Sequence, residues 1–250
     1  MRIDKMFFSA FMAGCLLALA CATALSTNTA PWYQENAPGL IRMIGAVIFP
    51  WGLVTIVVTG ADLCSLLVVG LLIGEGGVFN LEPYKSEVFT FNEKKVVTPE
   101  WHMIFLRGIG ANWLVCLACF AAFLAREYFS KVMAIWWPTF AFVCLGFDHV
   151  VANMFFVPMS IFLGDPKITT GYYIWKSMIP ALLGNIVGGG LMVGTMYWYL
   201  NLTGEAPISV DGVQFESESA PLVGQGANTD TPTRRESSSE SKKESPEDMV

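Results

Sequence analysis

Two short strings place ionisable side chains where such groups are expensive. Gly60-Ala61-Asp62-Leu63 lies inside the apolar run Gly39 to Ile73, and Gly146-Phe147-Asp148-His149 lies inside the apolar run Val132 to Leu163. An ionised carboxylate at mid-bilayer costs ~2.5–3.5 kcal/mol even on a lenient insertion scale. A glycine beside it can break the helix. The break frees backbone N–H groups, and an Asp can accept from them as a cap. Each string follows an aromatic–proline signal, Phe49-Pro50-Trp51 in one case and Trp136-Trp137-Pro138 in the other. Two unrelated kinks in buried helices would also fit either string alone. Paired breaks in two halves of a chain point instead to a transport site near the midplane.

His149 is the expected centre of that site. Only two histidines occur, and His102 sits beside Glu100 and Trp101 in a polar stretch, as an interfacial residue would. His149 has Phe142, Val143, Leu145 and Phe147 before it and Val150, Val151, Met154 and Phe155 after it. A buried imidazole could simply be satisfied by a neighbouring helix. The sharper reading follows from its unperturbed pKa of ~6.5, which lets it exchange a proton near neutrality. An anion arriving beside it favours its protonation, and the pair can cross the barrier as a neutral weak acid.

No nucleophile–base pair, phosphate loop or metal-ligand cluster competes. We therefore expect no enzyme activity, no cofactor and no metal. Cys116-x-x-Cys119 is flanked by Trp113, Leu114, Val115, Leu117 and Phe120, and reads as small apolar filler in a membrane helix. The pairs Gly184/Gly188 and Gly190/Gly194 have the G-x-x-x-G spacing of close helix packing.

The elements that position these residues follow from composition. The chain has 250 residues, 54% hydrophobic and only 14% charged, against about 25% charged in a soluble domain. Mean hydropathy is +0.50. A lipid bilayer is the expected surrounding, and a nucleic-acid binder, a disordered regulator and a secreted disulfide scaffold are excluded. A membrane helix needs ~20 apolar residues. Met6 to Leu25 qualifies. It follows Arg2 and Lys5 and so imitates a signal peptide, but several more apolar runs follow it. Gly39 to Ile73 and Val132 to Leu163 are too long for one simple span, Ile104 to Leu124 fits one, and Tyr172 to Leu200 is the last. Glu75 to His102 is charged and expected outside the hydrocarbon, where Lys94 or Lys95 could draw anions to a vestibule. Residues 1–204 form the membrane domain. Residues 205–250 read as a disordered, acidic, Ser/Glu-rich cytoplasmic tail.

Gly108-Ile109-Gly110-Ala111-Asn112-Trp113-Leu114-Val115-Cys116 and Gly146-Phe147-Asp148-His149-Val150-Val151-Ala152-Asn153-Met154-Phe155-Phe156-Val157-Pro158 resemble signatures of the formate/nitrite transporter family, with a eukaryotic, fungal-like flavour. The resemblance runs from about Met6 to Gly204. It implies an all-α, aquaporin-like bundle of six helices in two inverted halves, with broken helices. It also implies a homopentamer with one pore per protomer in the plasma membrane, and passage of small monovalent anions of the nitrite/formate class with a proton. His149 then matches the central pore histidine, Asn112 the asparagine that hydrogen-bonds near it, and Phe142 an aromatic constriction. Leu53 and Phe49 match apolar pore-lining positions. Asp62-Leu63 matches the first broken helix, where Cys64-Ser65 stand in place of the family's Phe-Thr; Ser65 would supply the hydroxyl. After Cys64 the chain runs straight into Ser65 to Gly74, which looks like the far half of the third helix. Given ~20 residues per span, roughly 35–40 residues are missing there. The amino-terminal segment also looks cut. Five full spans, or four plus a re-entrant segment, are expected instead of six. A truncated, non-transporting subunit that joins or poisons full-length pentamers is the alternative function. A water or glycerol channel is disfavoured because the chain has no Asn-Pro-Ala.

Overall fold

The computed structural model describes residues 3–59, 66–202, 208–210 and 213–215. Gly60, Asp62, Leu63 and Ser65 lie outside the described residues. Among the described residues, five helices are long and apolar enough to cross a membrane: Ser9–Asn28, Pro38–Thr59, Trp101–Leu124, Tyr128–Leu145 and Thr170–Leu200. Their surfaces carry exposed apolar side chains such as Phe123, Trp137, Leu182 and Leu191, which suits lipid or another subunit but not water.

The first crossing is α1 (Ile3–Asn28), followed by the short α2 (Pro31–Asn36). The second is made of α3 (Pro38–Ile48) and α4 (Pro50–Thr59), with prolines at both starts, where a missing N–H costs little. It packs antiparallel to α1: Gly45 lies on Asn28, and Gly52 on Ala20 and Leu17. Helix α5 (Leu66–Glu75) is too short to cross alone and lies against α9 (Val150–Phe162). There Gly70 and Gly74 meet Phe155, Met159 and Phe162. The overlong run 39–73 thus divides into one full span and one short helix.

Residues 84–97 form α6 (Tyr84–Asn92) and a π-helical turn (Glu93–Val97). The expected polar connector is thus partly helical and packs against the bundle. Val88, Asn92 and Val96 are buried, and Asn92 donates to the Phe156 carbonyl at 2.8 Å. Helices α7 (Trp101–Leu124) and α8 (Tyr128–Leu145) form an antiparallel pair. The last span comprises α10 (Thr170–Tyr173), α11 (Ile179–Ile186) and α12 (Met196–Leu202), joined by π-helical segments Ile174–Met178 and Val187–Thr195. It runs parallel to α7, since Gly184 meets Gly108, Gly188 meets Ile109 and Tyr197 meets Phe120. A methyl on Gly184 or Gly188 would run into the backbone of α7, so this pair packs as its spacing predicts. Gly190 has nothing within 4 Å of where its Cβ would be, so the Gly190/Gly194 pair does not serve that packing within this chain.

Residues 203–250 form a separate unit. Within the expected structureless tail, Ile208–Val210 pairs antiparallel with Val213–Phe215. Alternating apolar residues there favour a short hairpin, a local departure from the composition-based reading.

Candidate functional site

The second overlong run is interrupted as expected, at 146–149. Helix α8 ends on Gly146 at φ 72°, a left-handed cap that favours glycine. The position has a second reason to lack a side chain, because a Cβ there would run into the Arg42 guanidinium. Helix α9 then starts after His149.

Asp148 does not cap α9, contrary to the expectation from its position. The freed Val150 N–H donates to Asn185 Oδ1 at 2.9 Å. The Asp148 carboxylate is fully buried and lies 2.9 Å from Lys95 Nζ and 3.8 Å from Arg107 Nη1. Lys95 also donates to the Phe147 carbonyl at 3.2 Å. A strong cation within reach outcompetes a backbone dipole for a buried carboxylate, because an unpaired buried charge costs several kcal/mol. Lys95 is therefore a buried structural partner. Lys94 is exposed and faces the adjoining cavity.

Asn185 ties three elements together. Its Nδ2 donates to the Gly108 carbonyl at 2.8 Å and to the Asp148 carbonyl at 3.2 Å, while its own carbonyl accepts from Asn112 Nδ2 at 2.7 Å. Because Asn112 Nδ2 is used there, its Oδ1 is the atom facing His149 Nε2, 3.3 Å away. The network therefore assigns the proton to Nε2, which donates. Asn153 completes the shell, donating to Ser177 Oγ at 3.1 Å. Asn185, Asn153 and Arg107 escaped the sequence reading. An asparagine inside an apolar helix carries the same signal as His149, so Asn185 was open to the same logic.

Phe142, one turn before the break, stands 6.2 Å from the His149 ring between centroids and meets Phe49 edge-to-face at 5.6 Å. Both phenylalanines line a cavity of about 490 Å³. Its wall also carries Arg42, Lys94, Lys95, Arg107 and Glu87. His149 is not among the lining residues; its ring lies beside that of Phe142. Leu53 is buried one turn further along, packed with Val54, Ala118, Ala122 and Ile135. The structure thus gathers His149, Asn112, Phe142 and Phe49 at one point, with Gly146 and Asp148 forming the break.

This arrangement of helices recurs in known proteins. The family model described as "Formate/nitrite transporter" matches residues 1–65 and 63–199. The chain belongs to the formate/nitrite transporter family. It is a multi-pass membrane member, five of whose helices are long enough to span. A probable formate transporter of Methanothermobacter thermautotrophicus is 30% identical over 248 residues, covering 80% of this chain and 90% of the relative. The formate channel FocA of Escherichia coli strain K12 is 27% identical over 249 residues, covering 79% and 87%. A solved pentameric formate channel with formate bound superimposes with a TM-score of 0.71 at 25% identity, covering 80% of this chain and 97% of that one. The two matched segments overlap at residues 63–65. The family is one of transporters and channels, not of enzymes.

Proposed function

We propose that the chain carries small monovalent anions of the formate/nitrite class across the plasma membrane, coupled to a proton, as a homopentamer with a conduit in each protomer. The observation that carries this reading is the His149 imidazole, held by Asn112 at a helix break beside Phe142, which with Phe49 lines a cavity carrying four basic side chains. The cavity's cations concentrate anions. Passing the phenylalanines strips water from the anion, and an unpaired charge in a dry passage is costly. An anion beside the imidazole favours its uptake of a second proton from the water side; the imidazolium then passes one proton to the anion and returns to the neutral imidazole, so the particle crosses as a weak acid and ionises beyond. Leu53 and the family-matched Leu63 and Ser65 would form further stretches of the conduit.

The test is uptake of formate and nitrite by proteoliposomes. An inward proton gradient should accelerate uptake, and His149→Phe should reduce it to the level of empty vesicles. Equal uptake by the two proteins rejects the role of His149.

The second reading is a shortened subunit that assembles with full-length relatives without conducting. It is favoured by the division of the family match at 63–65. Co-expression of the two chains, with capture through a tag on the short one, separates the readings. Full-length protein that copurifies while the short chain alone leaves vesicles tight would favour the second.

A further inference from the structure

Among the described residues, Glu87 is the one acidic residue on the wall of a cavity whose other charged lining residues are all cations. It is buried, and the Gln34 amide donates to its carboxylate. The same amide donates to the Asn28 carbonyl at 2.7 Å. Gln34 thus straps the end of α1 to α6 across the cavity mouth and fixes the carboxyl group facing inward. The charged groups that share this space are Arg42 from α3, Lys94 and Lys95 from the π-turn, and Arg107 from α7. Helix α9, packed against α6, has no ionisable residue, and the described lining of α1 and α8 contributes none. Lys95 and Arg107 share the single carboxylate of Asp148, which offsets one of their two charges. The balance felt by an incoming anion is therefore set by Arg42, Lys94 and the excess charge of the Lys95–Arg107 pair against Glu87.

We propose that Glu87 tunes the admission of anions to the vestibule: ionised, it opposes them, and neutral, it lets the cations act in full. This rests on the anion-transport reading above but concerns the approach to the pore and not its centre. Burial pushes the Glu87 carboxyl above its ordinary value, with the Gln34 hydrogen bond and the nearby Lys94 pulling the other way. The neutral form therefore persists to a higher pH than for a free glutamate. As pH rises through that window the carboxylate appears and the vestibule becomes less welcoming to anions. As pH falls it becomes more so.

The test compares Glu87→Gln with wild type across about pH 4.5 to 8. At the alkaline end the mutant should show a KM for formate roughly three- to tenfold lower at unchanged maximal rate, the effect of one unit charge acting across a wet cavity. The ratio should fall toward one at the acid end as the carboxyl takes up its proton, and Glu87→Asp should restore a pH-dependent KM. A ratio that stays constant with pH, or a mutant no better than wild type at the alkaline end, overturns the proposal while leaving the His149 reading intact. A transport-free measurement reads the same potential. A cysteine placed at Thr90, which lines the cavity, should react with a sulfonate-bearing thiol reagent faster in the Glu87→Gln background at alkaline pH, and slower with an ammonium-bearing one. Equal reagent rates in both backgrounds also overturn it.

Discussion

Asn185→Leu should unlatch the helix break without touching the conduit. The side chain makes three bonds, accepting from Val150 N–H at 2.9 Å and donating to the Gly108 and Asp148 carbonyls at 2.8 and 3.2 Å. Its residue is 4% exposed, so water does not replace the lost partners. A lower bound comes from interhelical side-chain hydrogen bonds in membranes, at ~0.6 kcal/mol each, which gives about 2 kcal/mol for three. An upper bound comes from the penalty for a buried group left unpaired, ~1–3 kcal/mol. Applied to the Val150 N–H and the Gly108 carbonyl, with the longer Asp148 bond discounted, it gives about 6 kcal/mol. For a helical unit of this size a loss of about 2–6 kcal/mol lowers the melting temperature by roughly 4–24 °C. The assay is thermal unfolding in detergent, read with a thiol-reactive dye on the native cysteines, of which Cys21 is fully buried and Cys116 and Cys119 partly so. A melting temperature within about a degree of wild type would refute the view that Asn185 supports the break.

Asp148→Asn should cost about 3–5 kcal/mol, because it leaves the Lys95 ammonium buried without its partner. Adding Lys95→Met should recover most of that loss in a double-mutant cycle, and purely additive effects would contradict a direct pair. Gly188→Ala should drive α11 and the following π-segment from α7, since the new methyl meets the Ile109 carbonyl backbone. Gly190→Ala, at a position with open space, should melt like wild type, and an equal loss in both would argue against the packing described.

The break at 146–149 was legible because membrane helices leave so little room for polar residues that each one is a signal. Gly146 and Asp148 inside Val132–Leu163 announced an interruption, and helices α8 and α9 part there. The partner of Asp148 was less legible. Local logic offered the helix N-terminus, while the true partner, Lys95, lies more than fifty residues upstream in a segment whose charge suggested water. Only the fold of α6 and the π-turn carries that lysine inward. Asn185 was missed for a different reason: the eye went to the glycines around it, although the same rarity argument applied. The Gly184/Gly188 interface was predictable from spacing, but spacing alone gave no reason to separate it from Gly190/Gly194. That distinction depends on which face of the helix meets α7.

The placement of Lys95 bears on how a dry passage can let an anion leave. A free ammonium beside His149 would attract formate strongly, since charges in a low-dielectric interior interact far more than in water. Conduction needs binding weak enough to release. Asp148, 2.9 Å from Lys95 and 3.8 Å from Arg107, offsets one of their two charges, and the excess, with Arg42 and Lys94, belongs to the cavity wall. Attraction is thus set at the wall, where water screens it, and Asp148 lowers the net positive charge at the inner point beside His149. On the proposed reading, the charge of an anion at that inner point can be removed only by something that moves with it. Among the residues gathered there, the imidazole of His149 is the group that can take up and release a proton. Fixed charge would hold the anion, whereas a transferable proton lets it go.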